Sequence, residues 1–228
     1  MRRLMSALLL AIAVPLHAAT YVIEPHHTQG VVRWSHLGFA YPTAQFARVE
    51  GVLVFDPATP AKASVNVKIP IAAMTSGVPD LDEDLRSERF FDLARFPEAT
   101  FTSRRVEKMP GPDRYRVSGD LVLRGVSRPV ALEATLNKVG RNPRNDVPSI
   151  GFEATTRLKR SDFGLGAFVP QVSDEVEIHV TAQGDEAKPF AAYLRHQAAA
   201  ATDEAERKEY ETAAAAAEAV AARGTTKN

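Results

Sequence analysis

The sequence predicts an all-β protein: an antiparallel sheet with one short internal helix and a helical C-terminal tail. Three observations carry this. From Tyr21 to about Gly184 apolar residues recur at every second position, the period of a strand with one buried face. Clusters of Gly, Pro, Asn and Asp separate those runs. After Gly184 the composition turns abruptly to alanine and charged helix formers. One-sided strands joined by short turns must either close into a barrel or pack as a sandwich.

The chain opens with MRRLMSALLLAIAVPLHAA, in which Arg2 and Arg3 precede an apolar run from Leu4 to Leu16 and the small residues Ala18 and Ala19. That is the layout of a secretory signal peptide, and the run falls short of the roughly 20 residues that span a bilayer. The organisation expected is a leader over 1–19, a β unit over 20–184 and a helical extension over 185–228. SVNVKIP sets Val65, Val67 and Ile69 on one face. YRVSGDLVL does the same for Tyr115, Val117, Leu121 and Leu123, and VALEATL for Val130, Leu132, Ala134 and Leu136. IGFEATTRL aligns Ile150, Phe152, Ala154 and Leu158, and VEIHV aligns Val176, Ile178 and Val180. Turns are expected at 56–60, 109–113, 124–129 and 141–148. Gly119 and Gly125 interrupt strand-like runs, as bends or bulges do.

The exception to the β pattern is the acidic stretch Asp80, Asp82, Glu83, Asp84, which suits a first helical turn and predicts a helix over 80–93, ending before Pro97. Adjacent Phe90 and Phe91 would then point about 100° apart, so that one helical face cannot hold both. Either both fill core or they meet different neighbours. In the tail, Phe190, Tyr193, Leu194, Gln197 and Ala201 fall at helical spacing, as do Tyr210, Ala213, Ala214, Ala217 and Val220. An alanine stripe buries little area, which leaves a solvated tail and a docked helix both open.

The 28 Lys and Arg balance 28 Asp and Glu, and removal of Arg2 and Arg3 puts the acids two ahead. With no basic block and no groove of aromatics and arginines, nucleic acid is not a partner. The absence of cysteine removes disulfides, thiolate metal sites, a cysteine nucleophile and an acylated N-terminal cysteine. His27 and His36 are separated by an odd number of residues, so an unbroken strand would face them apart; structural roles suit His26, His27 and His36 better than metal ligation, and His179 falls on a polar face. The acids at 80–84 lack the ligand spacing of a calcium loop. Ser161 has neither a neighbouring histidine nor a nucleophile-elbow context, so Arg160, Ser161 and Asp162 read as a turn, or Arg160 as a contact for a phosphate.

Five motifs, IEPHHTQGVVRWSHLG, LRSERFFD with the following FP, GDLVLRGVSRPVAL, KRSDFG and VSDEVEIHV, together resemble the YceI family of polyisoprenoid- or lipid-binding secreted proteins, in the family's order over residues 21 to about 180. The resemblance implies a lipocalin-like antiparallel β-barrel around a long apolar cavity, a bound polyisoprenoid, quinone or similar amphiphile, and a periplasmic location. Val32 departs from the pattern, standing where the family has an aromatic, and the tail lies outside it. On this reading Trp34, Phe39, Phe46, Phe90, Phe91, Phe101, Leu121, Leu132, Phe152, Phe163, Val176 and Ile178 are candidates for contact with the lipid chain. Arg86 and Arg160 are candidates for its head group, since guanidinium matches phosphate geometry. The function expected is a non-enzymatic carrier without cofactor or membrane span in its mature form. The alternative is an envelope stress or interaction protein whose tail docks a partner and whose cavity is incidental. A homodimer is left open.

Overall fold

The protein, seen in a computed structural model, is described over residues 18–224; the leader reading rests on residues that, up to 17, lie outside these. Among the described residues eleven strands form one antiparallel sheet: β1 (Ala19–Ile23), β2 (Gln29–Arg33), β3 (Thr43–Phe46), β4 (Glu50–Phe55), β5 (Ser64–Pro70), β6 (Met74–Thr75), β7 (Glu98–Lys108), β8 (Arg114–Leu123), β9 (Val126–Arg141), β10 (Pro148–Lys159) and β11 (Glu175–Glu186). The order β1-β4-β5-β7-β8-β9-β10-β11 returns to β1, so eight strands close a lipocalin-like barrel rather than a sandwich. Closure removes the free edges that an open sheet would expose. β11 pairs with β1 through Gly184↔Ile23 and with β2 through Thr181↔Gln29, so β1 and β2 are two halves of one edge, broken at 24–28. β3 and β6 continue the wall beyond β2.

Strand alternation sets which side chains point inward. In β9 Val130, Leu132, Ala134 and Leu136 are part or fully buried while Ala131, Glu133 and Thr135 are exposed. Two glycines shape the wall. Arg124 and Gly125 (φ 50° and 73°) make the two-residue turn between β8 and β9, the type I′ geometry that matches strand twist. A Cβ on Gly125 would also lie 2.7 Å from the Phe96 ring. Gly119 faces the register shift between Ser103 and Arg105 in β7; a Cβ there would stand 2.3 Å from the Thr102 carbonyl and 2.7 Å from the Phe101 ring, so only glycine lets the bulged strand lie close.

Two apolar clusters occupy the ends of the barrel. Tyr21, Ile23, Leu53, Phe55, Val106, Tyr115, Ala134 and Ile150 make the floor. Ala44, Phe46, Ile71, Met74, Leu85 and Ala99 stand near the mouth, where α1 (Pro79–Arg86) crosses the opening. The helix begins with proline at its first position, where no amide is missed. It stops at Arg86, seven residues short of the sequence expectation, because the Ser87 hydroxyl (2.6 Å) and amide (3.0 Å) both bond the Asp84 carbonyl and Ser87 turns extended. Residues 87–96 continue as tight turns, with Phe90 N to Ser87 O and Phe96 N to Asp92 O.

The tail is a helical hairpin, α2 (Ala187–Ala200) and α3 (Glu204–Gly224), which follows directly from β11 at Glu186. It rests on β1 and the end of β11 and buries Ala191, Leu194 and Ala198 with Ala214 and Ala217. Arg195 clamps Glu218 with two bonds of 2.9 Å across the helices, and the Asp203 carboxylate caps α3 by accepting from Glu206 N at 2.8 Å. Among the described residues no helix is long and apolar enough to cross a membrane.

Candidate functional site: an apolar cavity in the barrel

The barrel encloses a cavity of about 460 Å³, within the range of sites that hold small molecules. Its wall is the inward face of nearly every strand. Trp34, Phe46, Phe101, Leu121, Leu132, Phe152, Val176 and Ile178 line it, as do Phe90 and Phe91. Inward residues at mid-barrel, Leu121, Val130, Leu132 and Ile178, are only part buried, since they face the cavity rather than packed neighbours. At the floor Phe55 packs edge-to-face on Tyr115 and on Phe152, each at 5.4 Å, and there the side chains do meet.

Because α1 ends early, Phe90 and Phe91 are not bound to a helical face, and turn geometry brings both to the cavity. Phe91 packs edge-on against Phe46 at 5.5 Å, and Phe90 lies against Phe168 at 6.2 Å. Val32, the family departure, is also on the wall. Three candidates lie elsewhere. Phe39 is 92% exposed outside the mouth, on a tip where Leu37 and Gly38 take left-handed backbone (φ 56° and 75°). Phe163, in the 3₁₀ turn Arg160–Phe163, is buried within protein and does not reach the cavity. Arg86 bonds the Met74 carbonyl and lies 4.0 Å from Asp82 rather than at the wall.

Arg160 does reach the wall, but its guanidinium is committed to carbonyls: Nε to Ser173 O (2.8 Å), Nη2 to Val172 O (2.9 Å) and Nη1 to Leu165 O. Burial pulls its pKa below the ordinary arginine value, against the nearby Asp174. Asp174 accepts from the Ser161 amide (2.9 Å) and hydroxyl (2.7 Å). Burial pushes that carboxyl up, and the Ser161 bonds with Arg160 and Lys159 outweigh it, leaving the pKa below the usual aspartate range. KRSDFG therefore staples the loop over 164–174 to the end of β10. Asp82 performs the same service for α1: Ser76 hydroxyl (2.6 Å) and amide (2.5 Å), Thr75 hydroxyl (2.8 Å) and Arg86 hold its carboxyl low.

Arg124, which the sequence pattern did not single out, joins these pieces. From its tight turn it donates to Glu88 O and Gly164 O, each at 2.8 Å, so three mouth segments share one guanidinium. Leu165, Phe168 and Asp84 also line the cavity. At the break between β1 and β2, Glu24 receives the amides of His26 (3.1 Å) and His27 (2.8 Å) and both Nδ1–H groups at 2.6 Å. Burial pushes Glu24 up, and these four bonds outweigh it and hold the carboxyl low. The paired histidines thus pin the bend between β1 and β2, and among the described residues no group of three His, Asp or Glu side chains converges to hold a metal.

Comparison with known proteins agrees with this architecture. The YceI-like domain family matches residues 21–184. The chain belongs to that family. It is 36% identical over 169 residues to UPF0312 protein plu2095 of Photorhabdus laumondii, covering 73% of this chain and 86% of that protein. To Protein YceI of Salmonella arizonae it is 35% identical over 173 residues, covering 75% and 89%. Among solved structures, the fold is shared with BcnA of Burkholderia cenocepacia (TM-score 0.64, 22% identity, 71% of this chain and 98% of that one). It is shared also with a polyisoprenoid binding domain from Saccharophagus degradans implicated in plant cell wall breakdown (TM-score 0.55, 15% identity, 75% and 99%).

Proposed function

We propose that the protein is a secreted, periplasmic carrier that holds a long amphiphilic lipid, such as a polyisoprenoid or quinone, in the barrel with its polar end at the mouth. The observation that carries this is the cavity wall: inward apolar side chains from opposite strands are held apart by the closed ring instead of packing on one another. A chain laid between them supplies the missing dispersion contacts and leaves water, at about 0.8 kcal/mol per buried methylene. Arg160 is committed to three backbone carbonyls, and Arg86 lies off the wall against the Met74 carbonyl and Asp82, so His36 at the rim is the polar group better placed for the head group. The name of the Saccharophagus domain is consistent with a polyisoprenoid. Secretion rests on the leader and expects a mature N-terminus at Ala19 or Thr20, checked by intact mass of the exported protein.

The deciding experiment is purification from the periplasm without detergent, native mass spectrometry, and organic extraction. One apolar molecule per chain is expected. A protein of bare mass with an extract free of lipid would overturn the carrier reading.

A further inference from the structure

Two loops that meet at the mouth carry apolar side chains on their outer surface. Of the seven large hydrophobic side chains exposed among the described residues, five lie here: Leu37 (52%), Phe39 (92%), Tyr41 (55%), Phe168 (53%) and Val169 (37%). They form one surface because the loops are zipped together, with Leu37 N donating to Gln171 O at 2.9 Å and His36 bridging Val172. Phe168 belongs to this surface and to the cavity wall, as do the His36 and Val172 that flank it. The apolar patch therefore runs into the cavity without a break.

Cations stand on the same rings. The Arg33 guanidinium, shared with Glu177 at 3.2 Å, lies 4.1 Å over the centre of Tyr41, and that of Arg89 lies 5.5 Å over Phe168. An apolar ring beneath an arginine is suited to the boundary of a bilayer, where the ring enters the acyl region and the cation stays among the phosphates. A second copy of this chain is the other occupant to test. A twofold contact sets the patch against itself, and the molar mass measured below separates that occupant from a membrane.

We propose that this patch docks the barrel mouth onto an anionic phospholipid bilayer, so that the ligand passes between membrane and cavity without crossing water. The proposal rests on the carrier reading above and supplies its route of loading. Without such a route every methylene of a long chain would be exposed to water in transit. Phe39, outside the cavity yet the most exposed of the five, is the group that enters the membrane first.

The test is flotation of the full mature chain with vesicles of phosphatidylethanolamine and phosphatidylglycerol, or of phosphatidylcholine alone, at low and high salt. The wild type is expected to float with the anionic vesicles, less so at high salt. Phe39→Asp should weaken flotation about tenfold or more, the factor that one buried phenylalanine contributes. Arg89→Gln should weaken it about fivefold, on anionic vesicles alone. Both variants should keep the wild-type melting temperature, and Phe39→Asp should take up lipid from the vesicles more slowly than wild type. A wild type that does not float, or a Phe39→Asp protein that floats like it, overturns the proposal. So does a Phe39→Asp protein whose molar mass in light scattering drops while flotation is unchanged, which would give the patch to a second copy. A lipid-loaded protein that ignores vesicles sinks the docking surface alone. A protein that floats but yields no lipid sinks the carrier reading and leaves the surface standing.

Discussion

The floor and the mouth of this barrel are closed by different physics. At the floor, paired strands bring Phe55, Tyr115, Ile150 and Tyr21 into contact, all at most 6% exposed, and burial of apolar area does the work. At the mouth, chain without long strands is held by charged side chains bonded to backbone: Arg124 to Glu88 and Gly164, Arg160 to three carbonyls, Asp82 to Ser76. A packed floor opens only when the fold does, whereas a mouth held by a few directed bonds can loosen segment by segment. Stability is concentrated at one end and access at the other.

The sharpest test of this contrast sets Phe55→Ala against Phe90→Ala. The first removes a buried ring wedged between Tyr115 and Phe152 and should cost about 3–5 kcal/mol, read from denaturant unfolding. The second removes a part-buried ring facing the cavity and should cost less than half of that while lowering lipid occupancy. Equal losses of stability would erase the distinction between the two ends. Midway along the wall, Leu132→Asp places a carboxylate on the apolar lining and should destabilise by about 3 kcal/mol. Glu133→Asp, on the outer face beside Arg114 at 3.2 Å, should change the melting temperature little. Similar melts for the two would mean that the register is displaced by one residue.

Arg124→Ala sharpens the mouth side. It leaves the Glu88 and Gly164 carbonyls without their donor, at about 1–2 kcal/mol, and should speed release of bound lipid to acceptor vesicles more than it lowers stability. An unchanged release rate would show that Arg124 does not govern access. The smallest effect belongs to Asp185, 2% exposed where β11 meets β1. Burial pushes its carboxyl above the ordinary 3.8, with Glu24 adding to this against bonds from Ser149 and Gln183. A raised carboxyl destabilises the fold above its native pKa, and the penalty fades as pH falls towards the unfolded value. Asp185→Asn should therefore melt slightly higher than wild type at pH 7 and converge with it near pH 4; a gap that stays constant with pH would assign the effect to packing.

The wall was legible in the sequence because its cause is local: Val130, Leu132 and Ala134 alternate with Ala131 and Glu133, and any closed sheet must turn the first set inward. The mouth was not, because its causes are distant. Nothing near Phe39 reveals that Leu37 will bond Gln171, 134 positions away in sequence, on the loop beside it, and Phe163 is buried through a turn whose arginine reaches Ser173. Arg124 finds partners 36 and 40 residues away, which no short motif displays. The overlong helix had a nearer remedy, since Ser87 follows directly on Arg86 and its hydroxyl competes for the Asp84 carbonyl, as serine does at helix ends.

The seam between β1 and β11 bears on how the chain reaches this state. Its three pairs, Tyr21↔Glu186, Val22↔Asp185 and Ile23↔Gly184, join the first strand to the last, so the ring stays open until nearly the whole domain has been made. Contacts that distant form late and slowly, and an unclosed barrel offers two bare edges meanwhile. The helical hairpin begins one residue beyond the seam and lies across β1. Built from local contacts that form quickly, it is placed to latch the first strand against the last as soon as the two meet, shortening the interval in which neighbouring chains could pair instead.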